Sequence, residues 1–425
     1  MQQETLTDRA ERRRGAHERR HSGEWFSQTQ PFHVHVYSAF LDSRHSAELQ
    51  VAVIAVLDRR LQRLWCHVWY SGRTQDNEAP VVLRGYAMPI GAGLTLTADG
   101  SELLEQVVAC PVRCEGRPPP VSVALAWGLS VGDVTAFHVP VELAEENASQ
   151  GQRQGSLAVC VSASYGDVDS RRVVEWLEMQ QLLGAQLVVI YNHSLSPTVS
   201  HVISQYAGTG GLVELRQTRA FTADDVLLHM SPVINDCMYR FHARFRYVAV
   251  IDVDELIVPR HHDTLPALLQ ALTTDNGGAP VALFAFRNAY FFLDIPLQDL
   301  DDDVPLSQRL STFLVHRRRL TASPPAYSVK SVVSSAACLA MHNHYCWTYS
   351  AGLSDWTLRL DVAPRDALLH HYKPCHLDTY LKQPGHCRSA MAATVVDNVI
   401  NKYSRALTDR LYTRYLQLNL THVSS

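Results

Sequence analysis

Two aspartates, Asp252 and Asp254, stand one residue apart where the apolar run Tyr247–Ile251 ends. Side chains in a strand alternate, so positions i and i+2 face the same way, and two carboxylates are expected to project together from the strand's C-terminal end. Open α/β sheets bind ligands at that end. Oxygen ligands suit a hard cation such as Mg²⁺ or Mn²⁺, an ion commonly shared with a substrate's phosphates. The implied chemistry is that of an enzyme acting on a diphosphate-linked substrate. The bland alternative is a strand end with solvated carboxylates.

A rival uses the same local shape. Haloacid-dehalogenase-type phosphatases place such a pair after an apolar strand, the first carboxylate being the nucleophile. There a small or hydroxyl residue follows, and the motif opens the sheet domain. Here Glu255-Leu256 follows, and an α/β pattern runs from Leu157 up to the pair.

The elements that must hold the pair can be read from periodicity. Residues 157–161 and 187–191 read as buried strands, 212–215 as a third, and 171–185, 197–207 and 226–244 as helices. This alternation implies an α/β domain with a mostly parallel, doubly wound sheet. Residues 260–425 mix strands (281–286, 312–316) with helices (264–273, 393–415). Upstream the pattern is all-β, with strands expected at 33–40, 49–58, 63–70, 81–88, 105–110, 121–127 and 135–142. Short strands at this spacing suggest a sandwich. Residues 144–156 are polar and Gly-rich, a linker, and residues 1–30 read as a disordered arm or stem. The expected organisation is therefore arm 1–30, β-sandwich-like accessory domain 31–150 and α/β domain 151–425.

A chain of 425 residues is long enough for two or three domains. Its net charge of −4 gives no reason to expect nucleic acid as a partner. No segment reaches the ~18–20 apolar residues of a membrane span, and the N-terminus lacks a signal peptide's apolar core. Nine cysteines are present, an odd number, so at least one is free or intermolecular. Cys338, Cys346, Cys375 and Cys387 could hold disulfides. The spacings of Cys110 to Cys114 and Cys346 to Cys375 match no zinc pattern. Sequons at Asn147, Asn192 and Asn419, with the cysteines, lean toward an oxidising lumen. A glycan on Asn192 would crowd a strand end, so Asn147 and Asn419 are the glycosylation candidates.

Several short motifs occur in a fixed order: Glu175-Trp176-Leu177, Gly184-Ala185 leading to Val189-Ile190-Tyr191-Asn192, Asn235-Asp236-Cys237, Asp252-Val253-Asp254-Glu255, Lys330-Ser331, His344 and His371-Tyr372. In this set the sequence resembles glycosyltransferase family 92 from about Leu157 into the C-terminal region. The segment Val36–Arg44 resembles the strand that opens animal members.

The resemblance implies a GT-A fold and inverting transfer from a nucleotide sugar, chiefly galactose from UDP-galactose, onto a terminal galactose or fucose of a glycan in β1,4 linkage. It implies Asp252 and Asp254 as ligands of Mn²⁺ (or Mg²⁺), with His371, rather than its neighbour His370, as the third. Lys330 would pair with the diphosphate. Asn235 and Asp236 would contact the donor or brace local backbone, and the uracil and ribose would lie near Ser162 to Tyr165. Glu255 would stand behind the metal ligands or tie its strand to a neighbour. Lys373 replaces the family's usual Arg, exchanging a bidentate contact for a point charge. Inversion needs a general base; His344 and Asp294 are the candidates, with Asp355 also at a plausible distance along the chain. The run Asp299–Asp303 reads as a solvated loop. The expected location is the Golgi lumen or secretory pathway, as a type II membrane protein if an N-terminal anchor is missing here, or else retained by another protein. The alternative is a non-catalytic glycan-binding or scaffold protein with a decayed transferase domain; an intact Asp-x-Asp, Lys330 and His371 argue against it.

Overall fold

The computed structural model describes residues 25–44, 49–70, 79–97, 99–113, 118–130, 134–143, 155–166, 168–208, 212–218, 230–293, 315–325, 327–375, 386–418 and 420. Asn147, Asn419, Asp294, the run Asp299–Asp303, Cys114, most of the expected arm and the linker up to residue 154 lie outside them.

The N-terminal part comprises β1 (Phe26–Gln28), β2 (Val34–Asp42), β3 (Leu49–Asp58), β4 (Leu64–Tyr70), β5 (Val81–Leu96), β6 (Glu102–Val112), β7 (Pro120–Ala126) and β8 (Val139–Leu143). Each expected strand is present. Their assembly differs from the expected sandwich. Pairing runs β2-β3-β6-β5-β4-β7-β8, and β8 returns to pair in parallel with β2 at Ala39 to Leu41. The sheet is a closed barrel. The physical reason lies in β5, which pairs with β4 through Val81–Gly85 and with β6 through Tyr86–Leu96. One long strand thus serves both halves, and no edge is left open. Alternate residues such as Val36, Val53, Val68 and Leu125 fill the lumen, where Cys66 and Cys110 are joined. β1 pairs with the start of β2, so the expected arm gives way to ordered chain before residue 30.

Then β9 (Gly155–Gly166), α1 (Ser170–Leu182), β10 (Leu187–Leu195), α2 (Pro197–Gly208), β11 (Val213–Gln217), α3 (Met230–Phe241) and β12 (Phe245–Val250) alternate as expected. β11, β10, β9 and β12 lie side by side and parallel in that order. The mixed sheet continues through β17 (Lys330–Ser334), antiparallel to both neighbours, then β14 (Leu283–Phe286) and β20 (Leu360–Asp361). The chain leaves β9 to one side and returns on the other as β12. The ends of β9 and β12 therefore flank a topological switch point, where sheets of this kind open a crevice. Strand alternation divides the core. Leu157, Val159, Tyr247 and Ala249 face the side of α1 and α2, whereas Ala158, Cys160, Val248 and Val250 face α3.

Gly184 closes α1 at φ 95°, and the amide of Ala185 donates back to Gln180 O at 2.9 Å. This left-handed cap explains the Gly-Ala motif structurally. A smaller sheet joins β13 (Glu255–Pro259), which leads into α4 (Leu265–Asp275), with β21 (Ala367–Lys373) and β15 (Asn288–Phe292). β18 (Cys338–Met341) and β19 (Cys346–Tyr349) form a hairpin closed by the Cys338–Cys346 disulfide; Cys375 and Cys387, the latter on α5 (His386–Ala392), form another bridge. The expected helix at 393–415 is broken. Thr394–Val396 is a β-branched run, and as β22 it pairs with β16 (Arg317–Arg319), just past the strand expected at 312–316. Asp397 is then gripped by Arg260 and Arg318, each at 2.7 Å, and α6 (Ser404–Gln417) begins only at Ser404. No helix among the described residues is long and apolar enough to cross a membrane.

Helix α3 is buried on nearly every side because the barrel covers one face and the mixed sheet the other. Cys237 is bridged to Cys160 on β9, and Phe40 of the barrel stacks on Tyr239. Asp236 accepts hydrogen bonds from Tyr191 at 2.6 Å and Arg240 at 2.9 Å, and Arg240 reaches Glu142 on the barrel. Burial alone would push the Asp236 carboxyl up, but Arg240 and Arg216 bring it down to about 2. A carboxylate depressed below its unfolded value of ~4 stabilises the fold above that pH and loses this contribution as pH falls toward 2. Asp236→Asn is expected to cost about 2 kcal/mol or more at pH 7. In urea unfolding the gap between the two proteins should begin to shrink below about pH 4 and close only near pH 2; a stability gap independent of pH would refute the linkage.

Candidate active site

Strand β12 ends at Val250, and the two aspartates stand on the turn beyond it, closed by a hydrogen bond from Glu255 N to Asp252 O of 3.1 Å. The two aspartates, expected at the strand end itself, where alternation sets side-chain direction, lie past it. Pairing of β12 with both neighbours stops at Val250, and the chain is drawn off to build β13. Two further bonds fix the turn. Trp176, wholly buried on α1, donates its Nε1–H to Glu255 O at 2.8 Å, and Tyr372 N donates to Asp254 O at 2.9 Å. The two acids then take separate partners.

Asp252 is paired with Lys330, the first residue of β17, whose Nζ lies 2.9 Å from Asp252 Oδ2, 2.7 Å from Asn343 Oδ1 and 3.5 Å from Glu255 Oε2. Burial would lower the Lys330 pKa, but Asp252 and Glu255 outweigh it and raise it to about 12. Lys330 is therefore a fixed, desolvated cation. Glu255 is equally buried. It accepts from Asp252 N at 3.0 Å, and its other oxygen lies 3.3 Å from His371 Nδ1. Burial raises its pKa, with Lys330 opposing.

Asp254 is paired with His371, whose Nε2 lies 3.1 Å from Asp254 Oδ2. His371 sits on β21 in register with Glu255 and packs against the Tyr290 ring, with Asn288 Nδ2 at 3.2 Å from Nδ1. Burial lowers the His371 pKa, but Asp254 and Glu255 together reverse the shift and raise it. Its neighbour His370 points the opposite way along the strand. It is stacked on Phe291, accepts from the Tyr372 hydroxyl at 3.1 Å, and burial drives its pKa to about 3. Lys373 Nζ lies 4.7 Å from the Tyr290 ring centroid, a cation–π contact that lysine and arginine can both make.

Among the described residues, no three His, Cys, Asp or Glu side chains already converge as a metal cage. Asp254 and His371 nevertheless offer an oxygen and a nitrogen side by side. Glu255 stands behind His371 at Nδ1, as a carboxylate does when it orients a ligating imidazole. This donor set fits a divalent cation, and Asp252 lies on the same turn.

His344 lies nearby, in the loop of the β18–β19 hairpin. Its Nδ1 is 2.6 Å from Val329 O, and Ser331 Oγ donates to its carbonyl at 2.6 Å. A carbonyl only accepts, so Nδ1 carries the proton and Nε2 keeps its lone pair. Burial and the Lys330 charge lower its pKa, holding the ring neutral. Ser328, just before this segment, is held at φ 51° beside Asn288, a strained conformation of the kind that gathers at functional sites.

Two expected donor contacts are corrected. Asn235 has no exposed surface; its amide donates to Ser231 O and Met341 O and accepts from Met341 N at 2.9 Å. Asp236 is consumed by Tyr191 and Arg240. Both brace α3. Ser162 and Tyr165 lie on the last part of β9, where only the backbone is described. The register with β10 slips there at Ser162 and again at His193, so two bulges mark this end of the sheet. Sequence reasoning missed His193, whose ring nitrogens are buried without hydrogen bonds, and also Asn288 and Asn343. A polar Asn288 opening the apolar run Ala289–Phe292 was the available signal.

The model of glycosyltransferase family 92 matches residues 155–411. The β-1,4-galactosyltransferase galt-1 of Caenorhabditis elegans is 27% identical over 107 residues, 24% of this chain and 25% of that protein, so the match spans a quarter of that relative's length. Among solved structures, residues 1–349 of S. aureus TarS align with a TM-score of 0.27 and 11% identity over 63% of this chain and 73% of that one. Glucosyl-3-phosphoglycerate synthase from Mycobacterium tuberculosis gives 0.24 and 10% over 61% and 80%. Likenesses this remote carry no argument about function.

Removing the buried cation should be severe. Lys330→Met removes the cation that faces Glu255 and Asp252 and is expected to cost about 3–5 kcal/mol in urea unfolding at pH 7. A loss under 1 kcal/mol would mean the cluster is more hydrated than its geometry shows.

Proposed function

This chain belongs to glycosyltransferase family 92, and from that premise we propose that it is an inverting, metal-dependent glycosyltransferase that moves galactose from UDP-galactose onto a terminal galactose or fucose of a glycan, in β1,4 linkage. We assign its catalytic part a GT-A fold on the same basis. One observation carries the reading: a fixed cation, Lys330, and the donor pair Asp254–His371 meet on one turn at the sheet's switch point.

The roles follow from the geometry. Lys330 is desolvated and charged before any ligand arrives, so an anionic diphosphate oxygen meets a preorganised donor. Asp254 and His371, with Asp252 beside them, would hold Mn²⁺ (or Mg²⁺), and the nitrogen ligand favours Mn²⁺. The ion would offset the charge that develops on the departing UDP. Glu255 orients His371 and, through the Asp252 amide, the turn itself. His344 takes the acceptor hydroxyl's proton at Nε2, the nitrogen that its bond to Val329 O leaves unprotonated. The bridges Cys66–Cys110, Cys160–Cys237, Cys338–Cys346 and Cys375–Cys387 support folding in an oxidising compartment, and the Golgi lumen is part of the same proposal. A purely glycan-binding scaffold would have no use for Lys330, Glu255 and His371 buried together, since buried charge seldom adds stability.

The test is UDP-galactose turnover with Mn²⁺ on β-galactose- and fucose-terminated acceptors. Wild type should transfer and EDTA should abolish it; Asp254→Ala should lose about 100-fold or more. Transfer that survives EDTA would sink the metal role. The His344 pKa is lowered by burial and Lys330, so the rate should fall on the acid side with a midpoint below 6.5. His344→Ala should remove that limb and slow transfer by roughly 10²–10⁴-fold; an unchanged pH profile would assign the base elsewhere.

A further inference from the structure

The β18–β19 hairpin carries a feature that the donor chemistry leaves unused. Trp347, on β19, is 41% exposed, and its ring stacks on His342 at 5.2 Å and 21°. The His342 ring lies 5.6 Å from that of His344. Three rings thus form a row from solvent to the proposed base. His342 Nδ1 is buried with no hydrogen-bond partner. Burial and the neighbouring His344 and Lys330 lower its pKa to about 4, so the ring is neutral and either nitrogen can donate or accept.

The row is rigidly mounted. The Cys338–Cys346 disulfide closes the hairpin, His342 N donates to Tyr345 O at 2.8 Å, and Asn235 on α3 clamps Met341 by both backbone groups. Asn343, between the two histidines, accepts from Lys330 at 2.7 Å. The hairpin loop is therefore tied to the charged cluster by side chains that have no other evident reason to meet.

A pyranose has one face of C–H groups and an edge of hydroxyls. It is recognised by an aromatic surface beside a few fixed polar groups. We propose that the open face of Trp347, backed by His342, is the platform on which a pyranose of the acceptor chain stacks, at the outer end of the row that leads to His344. The proposal rests on the transferase reading and adds the residues that select the acceptor. Trp347 is a specificity residue here, since the reacting atoms lie farther along the row.

Binding of a β-galactose-terminated and a fucose-terminated oligosaccharide is measured calorimetrically on the full chain, with and without UDP and Mn²⁺. The proteins are wild type, Trp347→Ala, Trp347→Phe and Tyr412→Ala, the last an exposed aromatic on α6. Affinity for UDP is measured separately for each. Trp347→Ala should weaken oligosaccharide binding about tenfold or more, Trp347→Phe should recover most of it, and Tyr412→Ala should match wild type. The acceptor KM should follow the same order while affinity for UDP holds. Equal binding by wild type and Trp347→Ala overturns the platform, as does parallel loss of UDP affinity, which would mark a structural role. Absence of sugar binding in wild type that still binds UDP also overturns it. Wild type that fails to bind UDP with Mn²⁺ refutes the donor reading instead; the sugar comparison without UDP then decides the platform by itself.

Discussion

A lysine buried against carboxylates governs the rest of this structure. Lys330 can be desolvated because Asp252 and Glu255 face it, and Glu255 can be buried because Lys330 and His371 face it, while Asp252 keeps part of its surface in solvent. Three carboxylates, counting Asp254, stand against Lys330 and His371, and Asp254 and Glu255 raise the His371 pKa against its burial.

Beyond the local bonds between Asp252 and Glu255, what fixes the turn comes from elements remote in sequence. Trp176 on α1, Tyr372 on β21 and Lys330 on β17 reach its residues, and Asn343 on the β18–β19 loop holds Lys330. The strands that deliver them do not alternate with helices, and they attach to the parallel half of the sheet through antiparallel β17. The parallel half supplies the crevice and the later strands supply its chemistry.

Helix α3 joins this cluster to the barrel. On one side Asn235 holds the hairpin that carries His342, His344 and Trp347; on the other Arg240 reaches the barrel through Glu142. Arg44, on the barrel side, donates to Ser335 O and Cys338 O and lies over the Tyr239 ring. The barrel is thus packed as a wall of the same core, and the polar residues between the two parts serve as clamps.

Local chemistry was enough to read the α/β order and the strands of the N-terminal part, because periodicity and residue type act over a few positions; His371 and Lys330 were singled out by the family resemblance. Closure of the barrel was not legible, since it depends on which distant strands pair, as β8 does with β2. Nor was the burial of Asn235 and Asp236, which look like ligand contacts until the barrel is laid over α3. The turn that carries the two aspartates also escaped, because their strand ends at Val250 with its pairing. The sequence by itself determined which charged groups the protein carries and on which kinds of element. Only the tertiary structure decided which of them neutralise one another, since electrostatic pairing and desolvation depend on distances that no spacing along the chain encodes.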